Sequence, residues 1–168
     1  MKKIFQVLIL GFTVSLSNAV LAASSSTYMG VKGGLMLTSI SDLSSATNIG
    51  GVVGYHLSGT SGLAVEAEFT LTAIPGDASF SSEWDVTTAA VYLAYRSTGD
   101  MYFKTKVGFL NEDVTISNDF FGVSGTDSGA SYGIGFGKKL SGGNSVEVEL
   151  TIIEEDINFL SVGYNFDY

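Results

Sequence analysis

Few residues in this sequence could support nucleophilic catalysis. A serine nucleophile needs a base within hydrogen-bonding reach, and histidine is the usual base. His56 is the only histidine in the chain, and it is followed by Leu57 and then by Ser58, which lies at a predicted turn. Asp127-Ser128 is a second candidate pair, with no histidine near it in the sequence. A histidine enclosed by the fold is the better interpretation of His56. We therefore predict no catalytic residue and no enzymatic activity.

The sequence pattern also argues against a metal centre or a cofactor. The chain has no cysteine, which excludes a thiolate zinc site and a disulfide framework. Its acidic residues do not follow the spacing of a calcium-binding loop, so they would give only weak cation sites. We predict no cofactor and no dedicated metal site.

The elements that must position these residues are strands with a period of two. The clearest segment is 63–72, where Leu63, Val65 and Phe69 alternate with Glu66 and Glu68. Such alternation places one residue set on each face of a strand. Six further segments show the same pattern, at 28–38, 48–57, from 101 onwards, 129–140, 146–152 and 160–168, and a further strand is predicted at 84–95. Each has about ten residues, the length that a tilted membrane strand needs.

The connections between these segments predict how the strands close. Short polar turns at 58–62, 96–100 and 141–144 alternate with longer connections at 39–47, 73–83 and 115–127. Backbone groups inside a lipid bilayer must all be paired, so strands cross it only as a closed barrel. We predict an all-β protein, an eight-stranded antiparallel up-and-down transmembrane β-barrel. Its short turns and both termini lie on the periplasmic side, and its longer loops lie outside.

The start of the chain has the pattern of a secretory signal peptide. Lys2 and Lys3 precede a mostly apolar stretch from 4 to 20, and Val20-Leu21-Ala22 offers small or short residues for cleavage. We predict a cleaved signal peptide over 1–22 and a single barrel domain over 23–168. The sequence favours this interpretation over an N-terminal membrane anchor.

The last residues carry a recognisable motif. The stretch from Ser161 to the end has glycine at 163, an aromatic residue at 166 and a terminal aromatic at 168. It resembles the C-terminal assembly signal of bacterial outer-membrane barrels, with Gly163, Phe166 and Tyr168 at the characteristic positions. Together with the segments 28–34, 95–108 and 132–137, it makes the chain similar to the small eight-stranded family of OmpX, Ail and the OmpA transmembrane domain.

This resemblance implies a location and a set of partners. The location is the bacterial outer membrane, where lipids and lipopolysaccharide surround the barrel and the barrel-assembly machinery reads the C-terminal strand. The expected oligomeric state is a monomer. Barrels of this size that are enzymes use a serine with a histidine base, but the spacing of His56 and Ser58 departs from the deacylase pattern. Asp127-Ser128 matches the palmitoyltransferases only weakly.

The inward positions of the predicted strands hold charges of both signs. Lysines fall on the first and fifth segments, and glutamates fall on the third and seventh, so opposite signs alternate around a closed ring of eight. Small barrels are filled by their own side chains. We predict that the lumen is closed by a network of ion pairs. Its expected members are Lys32, Glu66, Glu68, Lys104, Lys106, Lys139, Glu147 and Glu149.

The overall charge bears on partners at the outer end. The chain has 17 Asp and Glu residues against 8 Lys and Arg residues, which argues against nucleic-acid binding. The predicted outer end is acidic and has no Lys or Arg. Its acidic residues are Asp42, Asp77, Glu83, Asp85, Glu112, Asp113, Asp119, Asp127, Glu154, Glu155 and Asp156. A solvated surface is the simplest interpretation, and divalent cations bridging these carboxylates to lipopolysaccharide are the alternative.

Two local features leave alternatives open. The faces of segment 84–95 are ambiguous, although Trp84, Tyr92 and Tyr95 suit the aromatic girdles of a membrane barrel. The alternation slips near 111–114, which predicts a β-bulge or the exit of the strand from the membrane.

The function expected from these observations is a structural or cell-surface interaction role. Phe120 and Phe121 lie in the longest predicted loop and are candidates for a surface contact, with the ligand unknown. The alternatives are an adhesin or immune-evasion barrel acting through the 115–127 loop, a narrow channel for small solutes, and last a soluble ligand-binding barrel.

Overall fold

The computed structural model describes residues 27–118 and 122–167. The signal peptide predicted over 1–22, Phe120, Phe121 and Tyr168 lie outside the described residues. The strands in the described part are β1 (Thr27–Thr38), β2 (Ala46–His56), β3 (Leu63–Ile74), β4 (Gly76–Ala78), β5 (Ser82–Arg96), β6 (Met101–Ser117), β7 (Gly122–Lys139), β8 (Ser145–Glu154) and β9 (Ile157–Asp167). Two single 3-10 turns lie at Ser79–Ser81 and Ser141–Gly143. Within these residues no helix has the length and apolar character to cross a bilayer.

The strands close into an eight-stranded antiparallel barrel, as predicted. Each strand pairs with the next one along the chain, except that β3 pairs with β5 and not with β4. β9 pairs with β1 from Tyr28↔Asp167 to Thr38↔Ile157. β3 pairs with β5 from Leu63↔Tyr95 to Thr70↔Thr88. The short β4 extends the sheet beyond that pairing by adding three rungs to β5. The closing β1–β9 seam removes the edges that an open sheet would leave inside a membrane.

The two faces of the barrel wall are inverted relative to a soluble protein. Apolar side chains on the outer face are exposed, with Val107 58% and Phe136 66% accessible. Charged side chains on the inner face are buried, and Lys104 is only 1% accessible. This arrangement suits a barrel surrounded by lipid and is the one that the period-two pattern predicts.

The ends of the barrel differ in their connections. We call the end with the connections 57–62, 97–100 and 140–144 the turn end, and the opposite end, with the β6–β7 hairpin, the ribbon end. The interior near the turn end is charged. The interior towards the ribbon end is an apolar cluster formed by Met36, Ala46, Trp84, Val86, Ala90, Tyr92, Leu110, Ile153, Ile157 and Phe159.

The girdle prediction for Trp84 and Tyr92 is wrong, because both side chains point into the barrel. Trp84 is fully buried, and its Nε1 donates a hydrogen bond to the Ser44 carbonyl oxygen at 2.7 Å. Only Tyr95 faces outwards, with 40% of its surface accessible. The cause is the register of β5, whose Thr88 hydroxyl bonds the inward Thr70 hydroxyl at 2.8 Å. Even-numbered residues of β5 must therefore point inwards.

Trp84 gives a spectroscopic prediction, since it is the only tryptophan of the chain. We expect acrylamide to quench its fluorescence several-fold less in the folded protein than in urea, because the indole is enclosed and hydrogen-bonded. Stern–Volmer constants of both states measure this. A Trp84→Phe, Val123→Trp variant, with its indole on an exposed ribbon position, is the matched control. Equal quenching of the two folded proteins would contradict the inward placement.

The predicted loop over 115–127 is wrong, because strands occupy most of it. β6 and β7 stay paired from Met101↔Lys138 to Ser117↔Gly122, and the connection spans only 118–121. No register shift interrupts β6 near 111–114, so the β-bulge that was one of the two predictions for this segment is absent. The predicted connection 73–83 likewise contains β4 and the ends of β3 and β5. These segments are rich in small and polar residues, which are typical of loops. The sequence therefore did not predict that strands extend into them.

Candidate functional site

Four cations and four carboxylates share the interior at the turn end. We call them the lumen charge network. Its members are Lys32, Arg96, Lys104, Lys106, Glu66, Glu68, Glu147 and Glu149. The two signs are equal in number, so the network has no net formal charge. Their source strands are β1, β3, β5, β6 and β8.

Among the described cations of the lumen charge network, Lys104 pairs with the largest number of carboxylates. Its Nζ lies 3.1 Å from Glu66 Oε2, 3.1 Å from Glu147 Oε2 and 2.8 Å from Glu149 Oε2. Lys106 joins Glu68 and Glu149 at 2.7 Å each. These contacts tie strands on opposite sides of the barrel to one another across its interior.

Arg96 and two tyrosines complete the network at the mouth of the turn end. The Arg96 guanidinium lies 2.6 Å from Glu66 Oε1 and 2.7 Å from Glu147 Oε1. Arg96 Nη1 also donates to the Tyr28 hydroxyl at 2.7 Å, and that hydroxyl donates to Glu66. The Tyr102 hydroxyl donates to Glu147 Oε1 at 2.8 Å. The buried charges are thus held by partners of opposite sign and by hydroxyl donors.

The structure brings together seven of the eight residues named for the lumen. The exception is Lys139, which is exposed and forms no ion pair within the described residues. Lys139 is the last residue of β7, where the barrel wall ends. Sequence reasoning missed Arg96 by placing it in a turn. Arg96 continues the inward set of Tyr92 and Ala94 by one more step of two, but the ambiguous faces of segment 84–95 left that set unassigned in the sequence.

His56 lies beside this network at the mouth of the turn end. A cavity of about 340 Å³ there is lined by His56, Arg96, Lys139 and Asp167 among others. The His56 ring packs on Tyr28 with 4.9 Å between centroids. In residues 27–118 and 122–167, no hydrogen bond joins His56 to a serine, and no group of three or more acidic or histidine side chains is arranged around a common point for a metal.

The second site lies at the ribbon end, where β7 and β8 separate. Their pairing ends at Tyr132↔Ile152, while β7 continues to pair with β6 up to Gly122. The backbone edge of 122–131 therefore has no neighbouring strand in the described fold. We call this the free edge of β7.

A cavity of about 310 Å³ opens where the free edge begins, and we call it the notch. Its lining is Leu110, Glu112, Asp127, Ser128, Gly129, Ala130, Tyr132, Ile152, Ile153, Glu154 and Glu155. Glu112 is 4% accessible, and its Oε2 atom has no hydrogen-bond partner among the described residues. Sequence reasoning counted Glu112 only as one acidic residue of the outer end.

The notch changes the acidity of Glu112, which lies beyond the apolar band of the barrel. The outward residues beside it are Asn111 and Asp113, and the band ends at Phe109. Burial, a hydrogen bond with Glu154 and the negative charges of Glu154 and Asp127 raise the pKa of Glu112 to about 7. Glu112 therefore holds a proton at mildly acidic pH, where an ordinary glutamate is ionised.

This shift predicts a pH dependence of stability. Because the pKa of Glu112 is higher in the folded state than its ordinary value of 4.5, its stabilising contribution is complete below pH 4.5 and is lost as the pH rises through 7. We expect the Glu112→Gln variant to lose this part of the dependence. Urea midpoints between pH 4.5 and 8 measure it, and Glu83→Gln, at an exposed position of β5, is the control. An unchanged slope in Glu112→Gln would contradict the assignment.

The C-terminal motif residues within the described part lie on the closing strand. Phe166 faces outwards opposite Met29, and Gly163 lies opposite Lys32 of β1 and Glu147 of β8. The motif thus occupies the β1–β9 seam that closes the barrel. Its reading by the assembly machinery remains a prediction.

A closed eight-stranded barrel with an apolar exterior and a charged interior defines the outer-membrane class of barrel proteins. The sequence matches the family model described as outer membrane protein beta-barrel domain over residues 8–168, and the chain belongs to that family. No curated protein matches the chain in sequence.

Solved structures share the fold at low sequence identity. Neisserial surface protein A is 12% identical with a TM-score of 0.66, covering 86% of this chain and 98% of its own. The N-terminal barrel of Pseudomonas aeruginosa OprF is 15% identical with a TM-score of 0.56, covering 85% and 98%. Ail of Yersinia pestis, solved with the heparin analogue sucrose octasulfate, is 14% identical with a TM-score of 0.53, covering 84% and 97%. These likenesses support the predicted fold.

Proposed function

We propose that this protein is a non-enzymatic outer-membrane barrel that binds an extended segment of a surface partner along the free edge of β7. The barrel anchors the sheet formed by the outer parts of β5, β6 and β7. In this proposal the ribbon end faces outwards and both ends of the described chain lie towards the periplasm. The short connections of the turn end and the acidic ribbon end support this orientation.

The observation that carries this proposal is the unpaired backbone of residues 122–131. A strand edge offers hydrogen-bond donors and acceptors to any extended chain, which is the basis of β-augmentation. Natural edges are usually protected by lysine, proline or a bulge. The free edge has the sequence Gly-Val-Ser-Gly-Thr-Asp-Ser-Gly-Ala-Ser, in which Asp127 is the one charged residue and which contains neither lysine nor proline. Its register with β6 is uninterrupted.

The acidic surface around the free edge restricts the class of partner. Ail of Yersinia pestis forms a complex with a heparin analogue, sucrose octasulfate. Here the described ribbon end is rich in Asp and Glu, and a sulphated ligand would be repelled by Asp113, Asp127 and Glu154. A neutral or cationic extended segment fits this surface. Lipopolysaccharide and outer-membrane lipids would surround the barrel below it.

A ribbon-shortened variant tests the proposed function. It lacks 113–126, with a two-glycine turn joining Glu112 to Asp127, and keeps every barrel strand. We expect a fluorescent decapeptide of alternating threonine and glutamine to bind the full-length folded protein and to lose binding to the shortened one. N-methylation of alternate peptide amides, in either of the two registers, is the control for backbone pairing. Equal binding to both proteins, or to all methylated peptides, would contradict the proposal.

We also infer that the lumen does not conduct ions, which separates this function from the channel alternative. The support is the lumen charge network, which fills the turn-end interior, together with the apolar cluster above it. Purified folded protein in a planar bilayer is expected to show no steady conductance. A large, steady current that persists after contaminating porins have been removed would contradict this inference.

A further inference from the structure

The notch and the free edge share four residues. Asp127, Ser128, Gly129 and Ala130 of the free edge form one wall of the notch, and Ile152 to Glu155 form the other. A chain that paired with this edge would therefore pass over the notch, and one of its side chains would point into it. This inference rests on the proposed function and specifies the residue that the partner must carry.

Glu112 supplies the polar group that a ligand would need to meet. It is 4% accessible and lines the notch. Its carboxyl group has a hydrogen bond with Glu154, but its Oε2 atom has no hydrogen-bond partner in the described residues. A buried carboxylate oxygen without a partner destabilises a fold unless a ligand satisfies it. Asp127, Glu154 and Glu155 add negative charge, and no basic side chain lines the notch.

The rest of the lining distinguishes a basic side chain from a metal ion. Leu110, Ala130, Ile152 and Ile153 present apolar surface around the carboxylates. A lysine side chain has an apolar stem and a charged head, and it matches such a lining. A divalent cation needs six or more oxygen ligands, whereas the described residues provide no group of three acidic or histidine side chains arranged to hold one.

We propose that the notch binds a lysine side chain of the extended segment that pairs with β7, with its ammonium group on the Glu112 carboxylate. The partner is thus an extended peptide with a basic residue where it crosses from the ribbon to the barrel wall. The apolar lining takes the methylene stem, and Glu154 and Asp127 lie beside the head group.

Binding through Glu112 depends on pH. The groups that face Glu112 are Asp127 from β7, Glu154 from β8 and Glu155 from the following turn. All are acidic, and they favour a proton on Glu112 when no cation is bound. The bound lysine replaces that proton, so affinity for it rises between pH 5.5 and 8.

The test compares two decapeptides that differ in one residue. The neutral peptide alternates threonine and glutamine, and the second carries one lysine in place of a central glutamine. Fluorescence anisotropy with folded protein is expected to give about tenfold tighter binding of the lysine peptide at pH 8, the effect of one charge-assisted hydrogen bond. Glu112→Gln should reduce this preference to within about twofold, while Glu83→Gln, which removes an equal charge away from the notch, should preserve it.

The outcomes separate this inference from the proposed function. If the two peptides bind equally well, or if Glu83→Gln reduces the preference as much as Glu112→Gln, the lysine site is contradicted. The proposal that the peptide pairs with the free edge is then still supported. If the lysine peptide binds but backbone methylation has no effect, the notch stands and strand pairing is wrong. If neither peptide binds, both are overturned. If Glu112→Gln fails to fold, Glu154→Gln replaces it and is expected to show a smaller loss of the preference for the lysine peptide. An unchanged preference in Glu154→Gln would contradict the lysine site.

Discussion

Replacing Lys104 by methionine is expected to lower the free energy of unfolding by about 3–5 kcal/mol, the usual effect of removing one partner of a buried ion pair. The Lys104 ammonium group lies within 3.1 Å of carboxylate oxygens of Glu66, Glu147 and Glu149. Without it, three cations remain for four carboxylates in a poorly solvated interior. Methionine fills a similar volume, so the loss reports charge rather than packing.

The measurement is reversible urea unfolding in lipid vesicles, followed by the mobility of folded and unfolded forms on unheated gels. Lys138→Met is the matched control, because Lys138 is an exposed lysine near the end of β7 and does not belong to the lumen charge network. Its variant is expected to stay within about 0.5 kcal/mol of the original protein. Adding Glu147→Gln to Lys104→Met restores the balance of charges and is expected to recover part of the loss. A Lys104→Met variant as stable as Lys138→Met would show that the ion pairs do not hold the interior.

Substitution of Gly34 by valine is expected to prevent closure of the barrel. Gly34 lies on β1 at the closing seam opposite Ser161, and a Cβ atom there would meet the Leu160 carbonyl oxygen and lie 2.6 Å from the Ser161 Cα. These are backbone atoms, so they can move only if the β1–β9 pairing is broken. We expect loss of the compact, heat-sensitive form on unheated gels and a large fall in folded yield.

The neighbouring glycine provides the control for this prediction. A Cβ atom on Gly33 would meet only the Asn48 carbonyl oxygen and the Ile49 Cγ2, both at 3.7 Å. Gly33→Val therefore makes the same chemical change one residue away without a clash, and it is expected to fold. If both variants fold equally well, the seam is wider than the structure indicates.

The barrel could be predicted from sequence because each face of its wall carries a distinct chemistry. In β3, Val65 and Phe69 face lipid while Glu66 and Glu68 face the interior, and a period of two separates them. β5 lacked this contrast, since Ala89, Ala90 and Val91 are apolar on both faces. Its inward set was decided by pairing with β3, which a single sequence does not display. For this reason the side chain of Trp84 was predicted on the wrong face of the strand.

The charged interior could be predicted in type, but its predicted members included the exposed Lys139 and omitted Arg96. Arg96 and Lys139 both stand where a strand meets a turn. Whether such a residue reaches the lumen depends on where the wall ends, and composition does not fix that position. The long side chain of Arg96 reaches Glu66 and Glu147, whereas Lys139 is exposed at the mouth.

The ribbon end could not be predicted in the same way. Residues 122–131 are small and polar, which is typical of a loop, yet they form a strand because β6 offers them a continuous partner. The notch exists only because β8 turns back at Glu154 while β7 continues. Glu112 gains its buried position from that divergence, and nothing in its local sequence separates it from the neighbouring acidic residues.

Amide hydrogen exchange along β7 in the protein alone, reconstituted in lipid, tests the central claim most directly. We expect every second amide between 122 and 131 to exchange quickly and its neighbours, which bond β6, to exchange slowly. From 132 to 139, where β8 covers the other side, all amides should be protected. Uniform protection from 122 to 139 would mean that this edge is already paired, and the binding surface proposed for it would not exist.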